Sequence, residues 1–384
     1  METQLASASE KQVWITDYLK EYTRRSGFAA YMGRDAQNIF IAKYELQDEA
    51  GKTINIPLIT KLASAGVRGS GVLAGKEEQL GNYNCAISID WIRNGVVVPK
   101  STQYKTEINL LNAAKPMLRT WSSELLRAEM IYYLGGPIET TNNPPAVAIY
   151  DVDGNIVTAA ATAANYNTWS AANQDRILYG LLESNWSATH ATGLANVDST
   201  NDKASTAIYE HAKRMAKRAS PAIRPYQLKD GREYFVAFLG QNSFRDIKAD
   251  SAMQQANRDA RSREGSGMDD NPLFQDGDLI KDGIIYREVE EITTKLTKSA
   301  TFVAAGAGSI QVEPTFLCGQ GAMGIAWGQE PTPRTATDQD YQFRPGVGIE
   351  ELRGVRKLSF PTGSASAGKQ HGVVTVYVAG GDDS

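Results

Sequence analysis

The residue pattern with the clearest chemical meaning is a glycine-rich turn at Gly319–Gly324, with glycine at its first, third and sixth positions. This spacing is the GxGxxG fingerprint of dinucleotide sites, which requires a helix to open directly after the turn. Gly328, Pro331 and Pro333 follow at once and leave no room for such a helix. We therefore expect a structural turn here and no nucleotide cofactor.

A second pattern, Asp151–Asn155, places acidic and amide side chains at alternate positions, as the start of a calcium loop does. The full loop requires glycine at its sixth position and glutamate at its twelfth, where this chain has Ile156 and Thr162. A hairpin turn at Asp153-Gly154 explains the same residues. No metal site is therefore predicted.

Few residues are spaced for acid–base or nucleophilic chemistry. The chain has three histidines, none in an HxxxH or HExxH pattern: His190, His211 and His371. Neither a GxSxG nucleophile elbow nor a GxxxxGK[ST] phosphate loop occurs. The basic run Lys213–Arg218 is typical of a solvated helix face, with nucleic-acid contact as the alternative. We predict no catalytic residue.

The composition is that of a large globular chain of 384 residues, enough for two or three structural units. Its 40 basic and 44 acidic residues argue against general phosphate neutralisation. Cys85 and Cys318 are too few for a disulfide framework or a four-cysteine zinc site. The first residues lack a signal-peptide pattern, and no apolar run reaches the roughly 20 residues of a membrane span.

The first part of the chain is predicted to be an arm followed by a long hairpin. Residues 1–52 are interpreted as an N-terminal arm with a helix over Val13–Arg24 and a strand over Asn38–Leu46. Residues 53–100 are interpreted as an extended hairpin loop, because apolar side chains alternate along both of its strands. The alternating residues are Ile54, Ile56 and Leu58, then Tyr83, Cys85, Ile87, Ile89 and Trp91.

The hairpin tip, Ala63–Gly81, is rich in glycine and has too few apolar residues to form a core. Ordering such an arm costs conformational entropy that only contact with another surface offsets, so a partner is implied. Charges near the tip are the candidate inter-subunit contacts, and keeping the free arm soluble is their alternative role. These candidates are Arg68, Lys76, Glu77 and Glu78.

The strongest helix is predicted over Glu107–Leu134, within a segment 101–145 that also begins a peripheral domain. Pro116 predicts a kink in its first third. Its apolar residues recur at helical spacing, and we expect them to face closing strands near Val355–Val378. These residues are Leu111, Leu118, Trp121 and Leu125.

Residues 146–345 are interpreted as a mixed α/β axial domain with insertions, and residues 346–384 as closing strands of the peripheral and axial domains. The axial elements are a hairpin over Ala146–Thr158, helices over Ser205–Ala219 and Lys248–Glu264, a flexible loop over Gly265–Pro272, and strands over Glu233–Leu239, Gly283–Val289 and Ser309–Leu317. The closing strands are Val355–Phe360 and Val373–Val378. The fold class expected is α+β.

Several blocks, in their order along the chain, match one known family. These blocks are Ile54–Leu58, Lys61-Leu62, Gly66-Val67, Gly69, Leu73, Gly75, Glu77–Leu80, Asp90–Arg93, Tyr234–Gly240, Phe244–Lys248, Asn271–Phe274, Asp282-Gly283, Ile285, Gly346–Glu350, Gly354, Lys357, Phe360 and Gly372–Val374. They resemble the Hong Kong 97-type coat fold of tailed bacteriophages, and in detail the major capsid proteins of N-four-like podoviruses. Two positions depart from the family: Asn94 stands where histidine is common, and the family often has His-Pro near Gly240-Gln241.

The resemblance implies a shell subunit without enzymatic activity. Pentamers and hexamers of one chain would form an icosahedral head, located in the virion and assembled in the host bacterial cytoplasm. The head would enclose double-stranded DNA without sequence-specific binding. A portal and scaffolding or decoration proteins are the further partners implied, and no membrane is.

Two alternatives from other classes stay open at this point. The chain could be a cytosolic α/β enzyme with its ligand loop at Gly319–Gly324. It could also be a carbohydrate-binding virion protein, for which Trp169 and Trp186 lie in a polar region rich in alanine, threonine and asparagine.

Overall fold

The computed structural model describes residues 27–381 with internal gaps. The gaps are 48–50, 60–61, 63, 65, 79, 106–108, 138–148, 151–152, 157–162, 229–230, 261–273, 276–277, 337–340, 342 and 361–367. The predicted helix Val13–Arg24 and the predicted loop Gly265–Pro272 lie outside the described residues.

The described chain is a mixture of helices and strands, as the α+β class predicts. The helices are α1 Lys100–Gln103, α2 Leu110–Gly135, α3 Ala163–Ala172, α4 His190–Ala195, α5 Thr206–Arg218, α6 Gln241–Ala249 and α7 Ser251–Ala260. The strands are β1 Met32–Gly33, β2 Phe40–Lys43, β3 Thr53–Ile59, β4 Asn82–Ser88, β5 Asp90–Val97, β6 Ile177–Tyr179, β7 Tyr226–Gln227, β8 Glu233–Leu239, β9 Phe274–Gln275, β10 Asp278–Lys281, β11 Ile284–Glu288, β12 Val312–Cys318, β13 Met323–Ala336, β14 Gly346–Lys357, β15 Ser359–Phe360, β16 Lys369–Gln370 and β17 Val373–Ala379.

The chain divides into two compact units. The smaller unit contains residues 91–125 and 329–352, and the larger contains residues 27–90, 126–328 and 353–381 of the described chain. Among the described residues, no helix has the length and apolarity that crossing a bilayer requires.

The larger unit is built on an eight-stranded sheet with strand order β6-β17-β12-β8-β11-β10-β9 and β7 beside β8. Strand β8 is central, as predicted. Its successive side chains point to opposite sides of the sheet, and each side packs in a different apolar cluster. Phe235, Ala237 and Leu239 belong to one apolar cluster, which includes residues of α5 and α6. Val236 and Phe238 belong to the other, which includes the last turns of α2.

In the smaller unit, the first half of α2 packs on the start of β14. Ala114 and Leu118 form an apolar cluster with Val347 and Ile349, and Leu111 and Trp121 pack against it half-buried. The prediction that this helix face meets Val355–Val378 is therefore wrong, since its partners lie near the other end of the strand. The helix itself is confirmed: it spans 26 residues with Pro116 inside it, about 39 Å.

Two predicted elements are each divided in the structure. The return strand ends at Ser88, and a new strand, β5, runs from Asp90 in a different sheet, so the alternation fails at Trp91, which is exposed. The helix predicted over Lys248–Glu264 is α6 and α7, separated by Asp250 in an extended conformation. The Asp250 carboxylate accepts hydrogen bonds from the N–H of Thr206 (2.8 Å) and of Ala252 (3.1 Å), so it caps α5 and α7 together.

The closing strands have other boundaries than predicted, and one strand was not predicted at all. Strand β14 begins at Gly346, well before Val355, and Ser359–Phe360 forms a separate short strand, β15. Strand β6 was not predicted; it pairs in parallel with β17 through Ile177 and Thr375. Its three residues are too few to show a period in the sequence.

Candidate assembly surface

The hairpin of β3 and β4 is firmly attached to the larger unit at its root. The two strands pair antiparallel from Thr53 opposite Ser88 to Ile59 opposite Asn82. Ile56 and Ile87 are buried at the root, which is the alternation that the sequence predicted. A Cβ atom at Gly354 would lie 1.9 Å from the carbonyl oxygen of Ser88, so β14 can approach the hairpin this closely only with glycine there.

The far end of the hairpin exposes large apolar side chains. Val72 is 70% exposed and Ile59 62% exposed, and Leu62, Leu73 and Leu80 are more than half exposed. These side chains form no core of their own, which agrees with the prediction for the tip, and their exposure was not part of that prediction. The five residues are scattered among glycines and charges, so they form no period that marks a buried face.

The four charged candidates lie in this same exposed loop. The Glu78 carboxylate accepts the backbone N–H of Ser64 at 2.6 Å, and the Glu77 carboxylate accepts that of Gly75 at 2.6 Å. Arg68 and Lys76 are exposed. The structure thus gives both glutamates a role inside the loop, and their contact with an adjacent chain stays a prediction.

The glycine turn Gly319–Gly324 connects β12 to β13, and a strand follows it, as the sequence indicated. Its backbone N–H groups are used within the protein: Gly319 donates to Gly372 and Gln320 to Arg224, both at 2.8 Å. A Cβ atom at Gly319 would lie 2.3 Å from the Arg224 carbonyl oxygen. The turn is packed against its own chain and offers no cradle for a pyrophosphate.

The two tryptophans considered for sugar binding are placed differently from each other. Trp169 is only 3% exposed and belongs to the apolar core. Trp186 is half-buried and lines a cavity of about 510 Å³ with Tyr179, Glu183 and Arg218. An aromatic platform for a sugar needs an accessible ring face, which Trp169 does not provide.

The basic helix face and its neighbouring histidine are occupied by local ion pairs. Arg218 lies 2.7 Å from Glu183, and the His211 Nε2 atom lies 3.1 Å from the same carboxylate. The hydrogen bond from His211 and the charge of Arg218 lower the pKa of Glu183. This arrangement is the solvated helix face that the sequence favoured.

His190 is buried in an aromatic cluster. Its Nδ1 atom lies 2.8 Å from the Tyr179 hydroxyl, and its ring stacks on Tyr166 at 4.6 Å. Burial lowers the pKa of His190 to about 3 and raises that of Tyr179 far above its ordinary value. His190 is therefore a neutral member of the core at physiological pH.

The last turns of α2 are held by buried charged side chains. Lys357 donates hydrogen bonds to the carbonyl oxygens of Leu134 (2.9 Å) and Gly136 (3.0 Å), which a helix end leaves without intrahelical partners. Burial lowers the pKa of Lys357 to about 7. Arg353 forms an ion pair with Glu129, and Arg127 pairs with Glu291 at 3.0 Å.

Among the described residues, no group of three or more histidine, cysteine, aspartate or glutamate side chains is placed to hold a metal ion. The larger unit has extensive apolar clusters, and its hairpin of β3 and β4 ends in exposed apolar groups. This combination is what a protein that binds other protein subunits presents.

A family model of phage capsid proteins matches residues 2–380 of the chain. The chain belongs to the phage capsid protein family. The major capsid protein of Pseudomonas phage KPP25 is similar to it, with 24% identity over 380 residues, 96% of this chain and 95% of that protein.

Solved capsids are similar to this capsid protein over its full length. A chain in the capsid asymmetric unit of cyanophage Pam1 is 41% identical, with 100% of both chains covered and a TM-score of 0.84. A chain in the capsid of Ralstonia phage GP4 shares the fold at 18% identity, with 100% of both chains covered and a TM-score of 0.71.

These similarities confirm the predicted function: the chain is a major capsid protein of a tailed phage, a virion component that works as one of many copies in a shell. They also confirm the mixed α+β class, which the capsid structures share. The enzyme and carbohydrate-binding alternatives find no support in them.

Proposed function

We propose that this capsid protein has the Hong Kong 97-type fold, in the branch of the N-four-like podoviruses, and forms an icosahedral head of pentamers and hexamers. Residues 1–52 would be its arm, 53–100 its extended loop, 101–145 its spine helix, 146–345 its axial domain and 346–384 its closing strands. The observation that carries the proposal is the group of exposed apolar side chains at the hairpin end, including Val72 and Leu73.

Exposed apolar area of this kind is stabilising only when a partner covers it, at about 25 cal/mol per Å². In a shell made of one chain, the available partner is a second copy, and every copy repeats the contact. The hairpin end therefore lies on a neighbouring subunit in our proposal. Burial of Val72 and Leu73 supplies the affinity, and the charges of Arg68, Lys76, Glu77 and Glu78 set the register.

The formal net charge of −4 supports a passive relation to the packaged DNA. A subunit without a basic excess encloses double-stranded DNA without holding it by counterion release. We propose a structural role without catalysis, assembly in the host bacterial cytoplasm, and contacts with a portal and with scaffolding or decoration proteins.

Deletion of residues 64–80 tests the proposal. The truncated subunit should stay soluble and folded, because its apolar clusters lie elsewhere, and it should form no stable particles under conditions in which the full chain does. Circular dichroism and negative-stain microscopy are the measurements. Normal particles from the truncated chain would contradict the assigned role of the hairpin.

A matched pair of point variants separates loss of contact from loss of folding. Leu73→Ser removes an exposed apolar group from the hairpin end, and Val303→Ser removes a 48% exposed one from another loop. Only the first should reduce particle yield. Equal yields from both variants would remove the support that the apolar tip gives to the proposal.

A further inference from the structure

Strand β5 is an unusual edge strand. It is hydrogen-bonded to β14 and is the last strand of its sheet among the described residues. Seven of its eight residues are exposed, with Trp91 at 51% and Val97 at 48%. A long edge strand with exposed apolar side chains is a template for pairing with another strand.

The contacts to β14 show which backbone groups of β5 face outward. A Cβ atom at Gly348 would lie 3.1 Å from the Asn94 carbonyl oxygen, and one at Gly346 would lie 3.4 Å from that of Val96. Even-numbered residues of β5 therefore direct their carbonyl groups at β14. The backbone groups of the odd-numbered residues therefore point to the outer edge; these residues are Trp91, Arg93, Gly95 and Val97.

We propose that the outer edge of β5 pairs antiparallel with β5 of a second copy, about a two-fold axis at Asn94. The inference rests on the proposed shell, because closed shells contain two-fold axes at which a surface meets itself. An axis perpendicular to a sheet keeps each side chain on its own face. Directly opposed residues have their side chains on the same face of the sheet. An odd-numbered residue must then oppose an odd-numbered one, and an even-numbered residue an even-numbered one, so the axis lies at a residue and not between two residues.

The register follows from charge and size. Centring on Arg93 would set two arginines directly opposite each other, which is destabilising. Centring on Asn94 sets Trp91 opposite Val97 and places Arg93 opposite Gly95, which has no side chain. The same register sets Ile92 opposite Val96, so apolar pairs form on both faces and each occurs twice.

In the free subunit, a local hydrogen bond satisfies one outward-facing backbone group of this edge. The N–H of Gly95, which points outward, is bonded to the Asn94 side-chain oxygen at 2.8 Å. Pairing replaces this local bond with one to the carbonyl oxygen of Arg93 in the second copy. This one N–H of the edge is thus satisfied before assembly and becomes available when a matching strand arrives.

A disulfide at the axis tests the inference. Residues at the centre of this register form a pair without mutual hydrogen bonds, with Cα atoms about 4.5 Å apart, within the range that a disulfide spans. Cys85 and Cys318 are buried and give little background. Asn94→Cys particles treated with diamide should run mostly as covalent dimers on a non-reducing gel.

Arg93→Cys is the matched control, one residue from the axis, and it should give at least five-fold less dimer. Should Asn94→Cys fail to fold, the double variant Ile92→Cys/Val96→Cys sets opposed cysteines in the same register and should give the same dimer. Particles without dimers in both designs, or more dimer from Arg93→Cys, would overturn the pairing. Failure of the unmodified chain to form particles would contradict the proposed shell itself.

Discussion

The end of α2 and the end of the β3–β4 hairpin use charged and apolar groups in opposite ways. Near the helix end, Arg353 and Lys357 are buried charges that meet Glu129 and backbone carbonyl oxygens. At the hairpin end, Leu73 is an apolar side chain in the open and Glu78 is a charge bonded within its own loop. At the helix end the charged groups find their partners within one chain, whereas at the hairpin end apolar side chains stay exposed in the single chain.

A mutation at the helix end and a mutation at the hairpin end should therefore have different effects. A buried charge that loses its partner destabilises the subunit, because desolvation is then uncompensated. A change at the hairpin end should leave the subunit intact and act on assembly. Variants in the larger unit and at the hairpin end test that separation, from the largest expected change in the free energy of unfolding to the smallest.

Glu129→Leu should produce the largest effect. The variant leaves the Arg353 guanidinium, whose side chain is fully buried, without this carboxylate, and breaking a buried pair in this way costs about 3–5 kcal/mol. Urea unfolding of the unassembled subunit, followed by circular dichroism, measures the loss.

The control is the double variant Glu129→Leu/Arg353→Met, which replaces both charges by apolar side chains of similar size. Such replacements of a buried pair are often neutral or stabilising, so the double variant should recover most of the stability. A double variant as unstable as Glu129→Leu alone would show that packing, and not the unpaired charge, causes the loss.

Acid should have an intermediate effect through His190. Its folded pKa of about 3 lies below the ordinary value of 6.5, so between these values the unfolded chain binds a proton that the folded chain does not. Stability therefore falls as the pH falls through this window, by about 2 kcal/mol between pH 6.5 and 5.

The variant His190→Asn tests this assignment, because asparagine offers an acceptor to Tyr179 and does not titrate. Its free energy of unfolding should depend less on pH by the same amount, whatever its value at pH 7. Parallel pH profiles for the two proteins would exclude His190 as the source of the acid sensitivity.

Much of the larger unit was predictable because its signals are local. Within the strand Glu233–Leu239, residues Tyr234–Leu239 are a continuous apolar run, which is the sequence pattern of a strand buried on both faces. A strand and not a helix follows the Gly319–Gly324 turn, as the prolines after it predicted. The boundary at Ser88 was not predictable, since Tyr83–Trp91 alternates without interruption while the strand changes sheets after Ser88.

The position of the assembly surface in the chain was predictable, but its exposed apolar side chains and its internal hydrogen bonds were not. Glycine content marked Ala63–Gly81 as a protruding tip, yet the exposure of Val72 and Leu73 depends on what the rest of the fold leaves uncovered. The bonds of Glu77 and Glu78 to backbone N–H groups depend on loop conformation, which residue types alone do not specify. Charges that suggest contacts between subunits can equally hold a loop together.

The smallest expected change concerns those two glutamates and decides between their roles. Because both are exposed, substituting either should change the free energy of unfolding by no more than about 0.5 kcal/mol.

Glu78→Gln keeps an acceptor for the Ser64 N–H and removes the charge, whereas Glu78→Lys removes the acceptor and reverses the charge. If Glu78 attracts a cation on an adjacent chain, both variants should assemble poorly at low salt, and the difference from the unmodified chain should shrink as salt screens the charges. If Glu78 only shapes its own loop, Glu78→Gln should assemble normally and Glu78→Lys should fail at every salt concentration. Light scattering across a salt series distinguishes contact with an adjacent chain from a role within the loop alone. The same measurement with Glu77→Gln and Glu77→Lys applies the test to the second glutamate.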